Sequence, residues 1–126
     1  METFYIEDGR TTPEILLRPE ADLYYITGNS FPANPLRFYE PVLEWFSSFF
    51  ESKSSPNEMT IRLEFNYLNT ASQKQIVRLL KLIARNSSDK KTTIEWYYPG
   101  DDPDMLEAGQ RFEKITSLKF KYSLIA

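Results

Sequence analysis

The sequence predicts an α/β fold built on a mixed sheet, with helices mainly on one face. Three observations carry this. Met59, Ile61, Leu63, Phe65 and Tyr67 alternate with Thr60, Arg62, Glu64 and Asn66, the period of a strand buried on one side. The pattern then becomes helical, with Ile76, Val77, Leu79, Leu80 and Ile83 falling on one face. Strand and helix patterns keep taking turns toward the C-terminal end, which implies right-handed crossovers between parallel strands. A parallel sheet covered on both faces shows continuous apolar strands, whereas these alternate. One face is therefore expected to stay open.

The elements follow in order. Residues 14–18 (EILLR) and 22–27 (DLYYIT) read as strands joined by PEA, an N-terminal antiparallel β-hairpin. The first helix begins in NPLRFYEPVLEWFSSFFES, with Asn34 as cap and Pro35 at the first helical position, where its missing N–H costs nothing. Its aromatic arc, including Phe38, Trp45 and Phe49, is broad; core packing is the default for it, a partner groove the sharper option. Pro41 is expected to kink the helix or to leave a short opening turn. The strand at 59–67 leads to a second helix from about 71 to 85, and a further strand at 92–98 puts Ile94, Trp96 and Tyr98 on one side. The third helix opens at GDDPDMLEAGQRFE, capped by Asp101 or Asp102, with Pro103 first in the helix. A last strand has Leu118, Phe120, Tyr122 and Leu124 alternating with Lys119, Lys121 and Ser123. The open face should carry Arg62, Glu64, Asn66, Glu95, Tyr97, Lys119 and Lys121. ESKSSPNE at 51–58 and RNSSDKK at 85–91 read as surface turns. No linker or repeat divides the chain, so residues 1–126 read as a single domain.

Composition narrows the chemistry. The chain has no cysteine and no histidine, which removes disulfides, thiolate chemistry, the commonest general base and the commonest metal ligand. A net charge of -3 gives no broad basic field for nucleic acid. No apolar run approaches the roughly 20 residues of a membrane span, and no secretion signal is seen, so the expected setting is the cytoplasm. GDDPD lacks the spacing of a calcium loop, and capping accounts for it. No catalytic residue, metal ligand or cofactor is assigned.

Thr70 sits where the strand period gives way to the helical one. It is the expected helix cap, with Gln73 completing a Thr-x-x-Gln capping box worth about 1 kcal/mol; Ser72 with Gln75 offers a second register. The same corner suits a phosphate, because a helix N-terminus presents unpaired N–H groups and partial positive charge. Phosphorylation there would add about -1.5 to -2 charges. Lys74 lies one turn on and starts a basic stripe with Arg78, Lys81 and Arg85, with Leu82 beside it. A solvated face explains that stripe, and docking onto an acidic partner is the alternative.

LNTAS at 68–72 resembles the phosphoacceptor segment of the SiaC family of bacterial regulatory phosphoproteins, known from biofilm control. ITGNSFPAN at 26–34, FYEPVLEWF at 38–46 and WYYPGDDPDMLEAGQRFE at 96–113 resemble it too, so the likeness covers nearly the whole chain. The family is similar to STAS domains and anti-sigma factor antagonists, which implies a single STAS-like domain. By resemblance, Thr70 is phosphorylated by a partner kinase and released by a PP2C-type phosphatase. The unphosphorylated protein then binds a diguanylate cyclase and stimulates cyclic di-GMP synthesis, without being an enzyme itself. Leu68, Asn69, Ser72, Lys74 and Arg78 are the expected partner-binding switch surface. Two positions depart from the family pattern: Ala71, where Ser is frequent, and Ala33, where Glu is. The alternatives are an anti-sigma-antagonist type of partner switch, or a small-molecule site on a tyrosine-rich surface of Tyr24, Tyr97 and Tyr98.

Overall fold

A computed structural model describes residues 1–52, 55–87 and 91–125. Six strands form one sheet in the order β1 to β6: Phe4–Ile6, Glu14–Arg18, Leu23–Ser30, Glu58–Leu68, Lys91–Pro99 and Lys119–Ile125. The three α-helices, α1 to α3, are Pro35–Glu51, Thr70–Arg85 and Pro103–Thr116. β1, β2 and β3 are antiparallel, and β3 through β6 are parallel, each parallel step bridged by one helix. The mixed sheet and the hairpin at its start are as the sequence predicts. β1 is an addition, because three residues are too few to show a period. Of the two expected surface turns, residues 53–54 and 88–90 lie outside the described residues.

The strand order follows the chain, so the three crossovers set α1, α2 and α3 side by side on one face. Their apolar stripes meet Ile15, Leu17, Ile26, Ile61, Leu63, Ile94 and Trp96 of the sheet in one core. Burying a side chain such as Phe46 or Phe49 contributes roughly 1.5–3 kcal/mol. The opposite face carries Arg62, Glu64, Asn66, Glu95, Tyr97, Lys119 and Lys121, none of them buried. Arg62 caps that face by resting 4.1 Å over the Tyr97 ring.

The aromatic arc of α1 is core. Tyr39, Val42, Leu43, Trp45, Phe46 and Phe49 are buried, and Phe38 and Phe50 pack against them. α1 runs unbroken through Pro41, with no separate opening turn. Pro41 lies on the exposed side, where the Arg37 carbonyl that it leaves without a donor can turn to water. Asn34 caps α1 by accepting from the Arg37 N–H, and Asp102 caps α3 by accepting from the Met105 N–H, each at 3.1 Å.

One departure sets the geometry of the corner that leads into α2. The alternation of β4 fails at its end: Asn66 and Tyr67 are both exposed, and Leu68 is buried. The pairing with β3 slips there, since Gly28 faces Phe65 while Asn29 faces Tyr67. A bulge of this kind reverses which side the following residues face. Tyr67 consequently leaves the core and packs edge-on against Phe31, ring centres 5.4 Å apart. Gly28 sits at φ +122, a backbone conformation that a residue with a side chain rarely adopts, so glycine suits this bend.

Candidate functional site

The bulge delivers Leu68 into the core and turns the chain at Asn69, where α2 begins. Asn69, not Thr70 or Ser72, is the helix cap: its Oδ1 accepts from the Ser72 N–H at 2.8 Å. Its own N–H donates to the Ser30 carbonyl at 3.1 Å, fixing the corner against β3. Asparagine caps at least as well as threonine, and Asn69 holds the extended backbone that a cap residue needs. The expected capping box is also absent. Gln73 Nε2 donates to the Leu68 carbonyl at 3.3 Å, and Gln73 Oε1 accepts from Arg111 of α3 at 2.8 Å.

Thr70 is thereby the first helical residue. It is exposed, and among the described residues its hydroxyl has no hydrogen-bond partner. With the Ser72 N–H taken by the cap, the Thr70 and Ala71 amides have no acceptor within the helix. The hydroxyl stands at the positive end of a 16-residue helix. Lys74 follows at i+4 on the same side and is exposed.

The five neighbours expected to form a surface with Thr70 divide. Asn69 is half-buried, and Lys74 and Arg78 are exposed. Leu68 is buried in the core, and Ser72 is fully buried, hydrogen-bonded through Ser30 to Tyr39. Their side chains are structural and present nothing to a partner, because the helical turn that exposes Thr70 points Ser72 inward. Tyr39 itself is held protonated, its pKa pushed up by burial.

A groove of about 360 Å³ opens from Thr70 between α2 and α3. Lys74, Arg78 and Lys81 line it from α2, and Arg111, Phe112 and Ile115 from α3. Arg111 was invisible to sequence reading. It lies 38 residues beyond the Gln73 that holds it, and no local pattern connects the two. Asn69 could have been found, since a cap-forming residue directly precedes the helical run.

The tyrosine surface does not assemble. Tyr24 is buried under α1, against Trp45 and Phe49; Tyr97 lies on the open sheet face; Tyr98 packs against the core on the other. Alternation along β5 sends Tyr97 and Tyr98 to opposite sides. Leu82 is half-buried against the core and so is no free apolar contact. Among the described residues, no group of three or more acidic, histidine or cysteine side chains could hold a metal ion.

Comparison with known proteins supplies the family. The sequence profile of the SiaC family of regulatory phosphoproteins matches residues 6–125. The chain belongs to the SiaC family. An uncharacterised protein of Pseudomonas aeruginosa strain UCBPP-PA14 is 26% identical over 121 residues, 95% of this chain and 94% of that one. The fold is that of apo-SiaC from P. aeruginosa, with a TM-score of 0.84 at 23% identity over 98% of this chain and 99% of that one. It is equally like SiaC in the crystal structure of the diguanylate cyclase SiaD in complex with its activator SiaC, from the same organism. There the TM-score is 0.85 at 22% identity, over 97% and 99% of the two chains. Among the described residues, no helix of this SiaC-family chain is long and apolar enough to cross a membrane.

Proposed function

We propose that this SiaC-family chain is a non-enzymatic switch protein, controlled at Thr70, whose unphosphorylated form binds and activates a diguanylate cyclase. A partner kinase transfers the γ-phosphoryl group of ATP to Thr70 Oγ1; the hydroxyl proton leaves and ADP is released. A PP2C-type phosphatase returns the hydroxyl by hydrolysing the ester, with water supplying the oxygen of the inorganic phosphate. Use of ATP sets the exchange in the cytoplasm.

The observation that carries this reading is the exposed, unbonded Thr70 hydroxyl at the head of α2. Because Asn69 does the capping, modification removes no helix-stabilising bond. A dianion there changes the charge of the docking surface without breaking the fold beneath it. Membership of a family of regulatory phosphoproteins supports the switch, and a related SiaC seen with its cyclase supports the kind of partner.

The test is association with a purified diguanylate cyclase from the same cells, for the unmodified chain, Thr70→Ala and chain phosphorylated at Thr70. The first two should bind and raise cyclic di-GMP output, and the third should do neither. Equal binding by all three sinks the proposal.

A further inference from the structure

The basic groove between α2 and α3 lies beside the Thr70 hydroxyl but has no part in its phosphorylation. Lys74, Lys81 and Arg111 have no carboxylate partner among the described residues, and Arg78 alone reaches one, Glu40 of α1 at 3.6 Å. No acidic side chain lines the groove, although acidic residues outnumber basic ones in the chain, 18 to 15. Like charges at helical spacing repel one another weakly, and an anionic group seated among them turns that repulsion into attraction. The floor between them is apolar: Val77 is half-buried, and Ile115 stays 49% exposed.

Resting on the Thr70 switch, we propose that this groove is the docking site for an acidic segment of the partner protein bearing spaced apolar side chains. Its carboxylates meet Lys74, Lys81 and Arg111, and its apolar side chains cover Val77 and Ile115. From Thr70 to Lys81 the α2 wall runs about 17 Å, room for about three turns of helix or five extended residues. A nucleic acid fits less well, because the one ring lining the groove, Phe112, is buried and offers no face for stacking, and the chain as a whole is acidic. The groove also explains why phosphate at its head is inhibitory. Lys74 at i+4 from Thr70, and Arg111 held beside the first turn by Gln73, are cations the incoming carboxylates need. A phosphate on Thr70 takes them from within and repels the acidic segment.

The experiment measures binding of the full chain to the purified cyclase, with Lys81→Glu, Arg111→Glu and Arg85→Glu compared at low and high salt. All three positions are exposed, so the variants should fold. Arg85 lies on the α1 side of the same helix, outside the groove. Lys81→Glu and Arg111→Glu should each weaken association roughly tenfold, with the loss shrinking in salt, and Arg85→Glu should change little. If the groove variants bind like the native chain while phosphorylation still abolishes binding, the groove is wrong and the switch survives. Should the cyclase bind no form at all, the cyclase reading fails and the groove is judged with a synthetic peptide. That peptide has about a dozen residues, Leu at helical spacing and Glu elsewhere, and is titrated onto isotopically labelled chain. Shifts centred on Val77 and Ile115 and lost in Lys81→Glu support the groove; shifts elsewhere, or none, overturn it.

Discussion

Ser30 Oγ donates to Ser72 Oγ at 2.9 Å, joining the last residue of β3 to the first turn of α2. Tyr39 of α1 meets Ser30 at 2.6 Å, so three hydroxyls from three elements form one buried chain. Removing Ser72 keeps the Ser30–Tyr39 bond but leaves one of their two hydroxyl hydrogens without an acceptor in an apolar core. Ser72→Ala should therefore lower stability by about 1–2 kcal/mol, read as a reduced urea midpoint at unchanged slope. Being fully buried, Ser72 should take no label from a kinase acting on folded chain.

The cap assignment separates two adjacent residues. Asn69→Ala removes the bond to the Ser72 N–H and should cost about 1 kcal/mol. Thr70→Ala removes an exposed, unbonded hydroxyl from a helical position, where alanine is the better helix former; the change should be near zero. Thermal denaturation of both variants decides it. A larger loss for Thr70→Ala would return the cap to threonine.

Much of this was legible because it is local. The period of β4, the switch to α2, the Asn34 cap, an aspartate cap for α3 (Asp101 or Asp102) and the open sheet face all follow from spacing within one segment. The errors share a different cause. Alternation alone puts Tyr67 in the core, because nothing in its own strand announces the slip against Gly28, which belongs to the partner strand. The sequence offers Ser72 to the surface because its partners, Ser30 and Tyr39, come from β3 and α1. Arg111 reached the groove by tertiary packing alone. Pattern places most of the core, but it fails where burial is decided by a residue of another element, as at Tyr67 and Ser72.

Gly109 illustrates such a meeting. A Cβ there would lie 2.5 Å from Trp96 Nε1 and 2.6 Å from its Cδ1. The indole cannot retreat, since it is fully buried and its N–H donates to the Met105 carbonyl at 3.0 Å. Gly to Ala in a helix interior ordinarily gains up to about 1 kcal/mol. Here overpacking wins, and Gly109→Ala should lose about 1–3 kcal/mol, with altered Trp fluorescence as α3 shifts from the sheet. A stabilised variant would show that α3 has slack that this packing denies.

Alkali should find a weak point in the tyrosine core. Burial first, and the Asp22 charge second, push the Tyr24 pKa up to about 12. Unfolded, the same phenol titrates near 10. The folded state thus keeps a proton that the unfolded state releases. The stability this contributes is whole below about pH 10 and is lost as pH climbs through about 12. Tyr39, raised by burial, acts in the same direction. Unfolding midpoints measured across that window should fall with pH, and Tyr24→Phe should fall less steeply. A flat profile would mean that neither hydroxyl stays protonated inside.

Phosphate at Thr70 should switch the surface and leave the helix at least as firm. A negative charge at the first helical position complements the helix dipole by about 0.3–1 kcal/mol, and a pair with Lys74 at i+4 adds a few tenths. Thr70→Asp, a weaker stand-in with one charge, should melt at or slightly above the native temperature in low salt, the gain fading as salt rises. Run beside the binding assay, this melt distinguishes two origins for lost partner binding. Weak binding by a chain that melts higher places the effect on the docking face. Weak binding by a chain that melts several degrees lower would instead mean that the corner at Asn69 had come apart, and the phosphate would be acting on the fold.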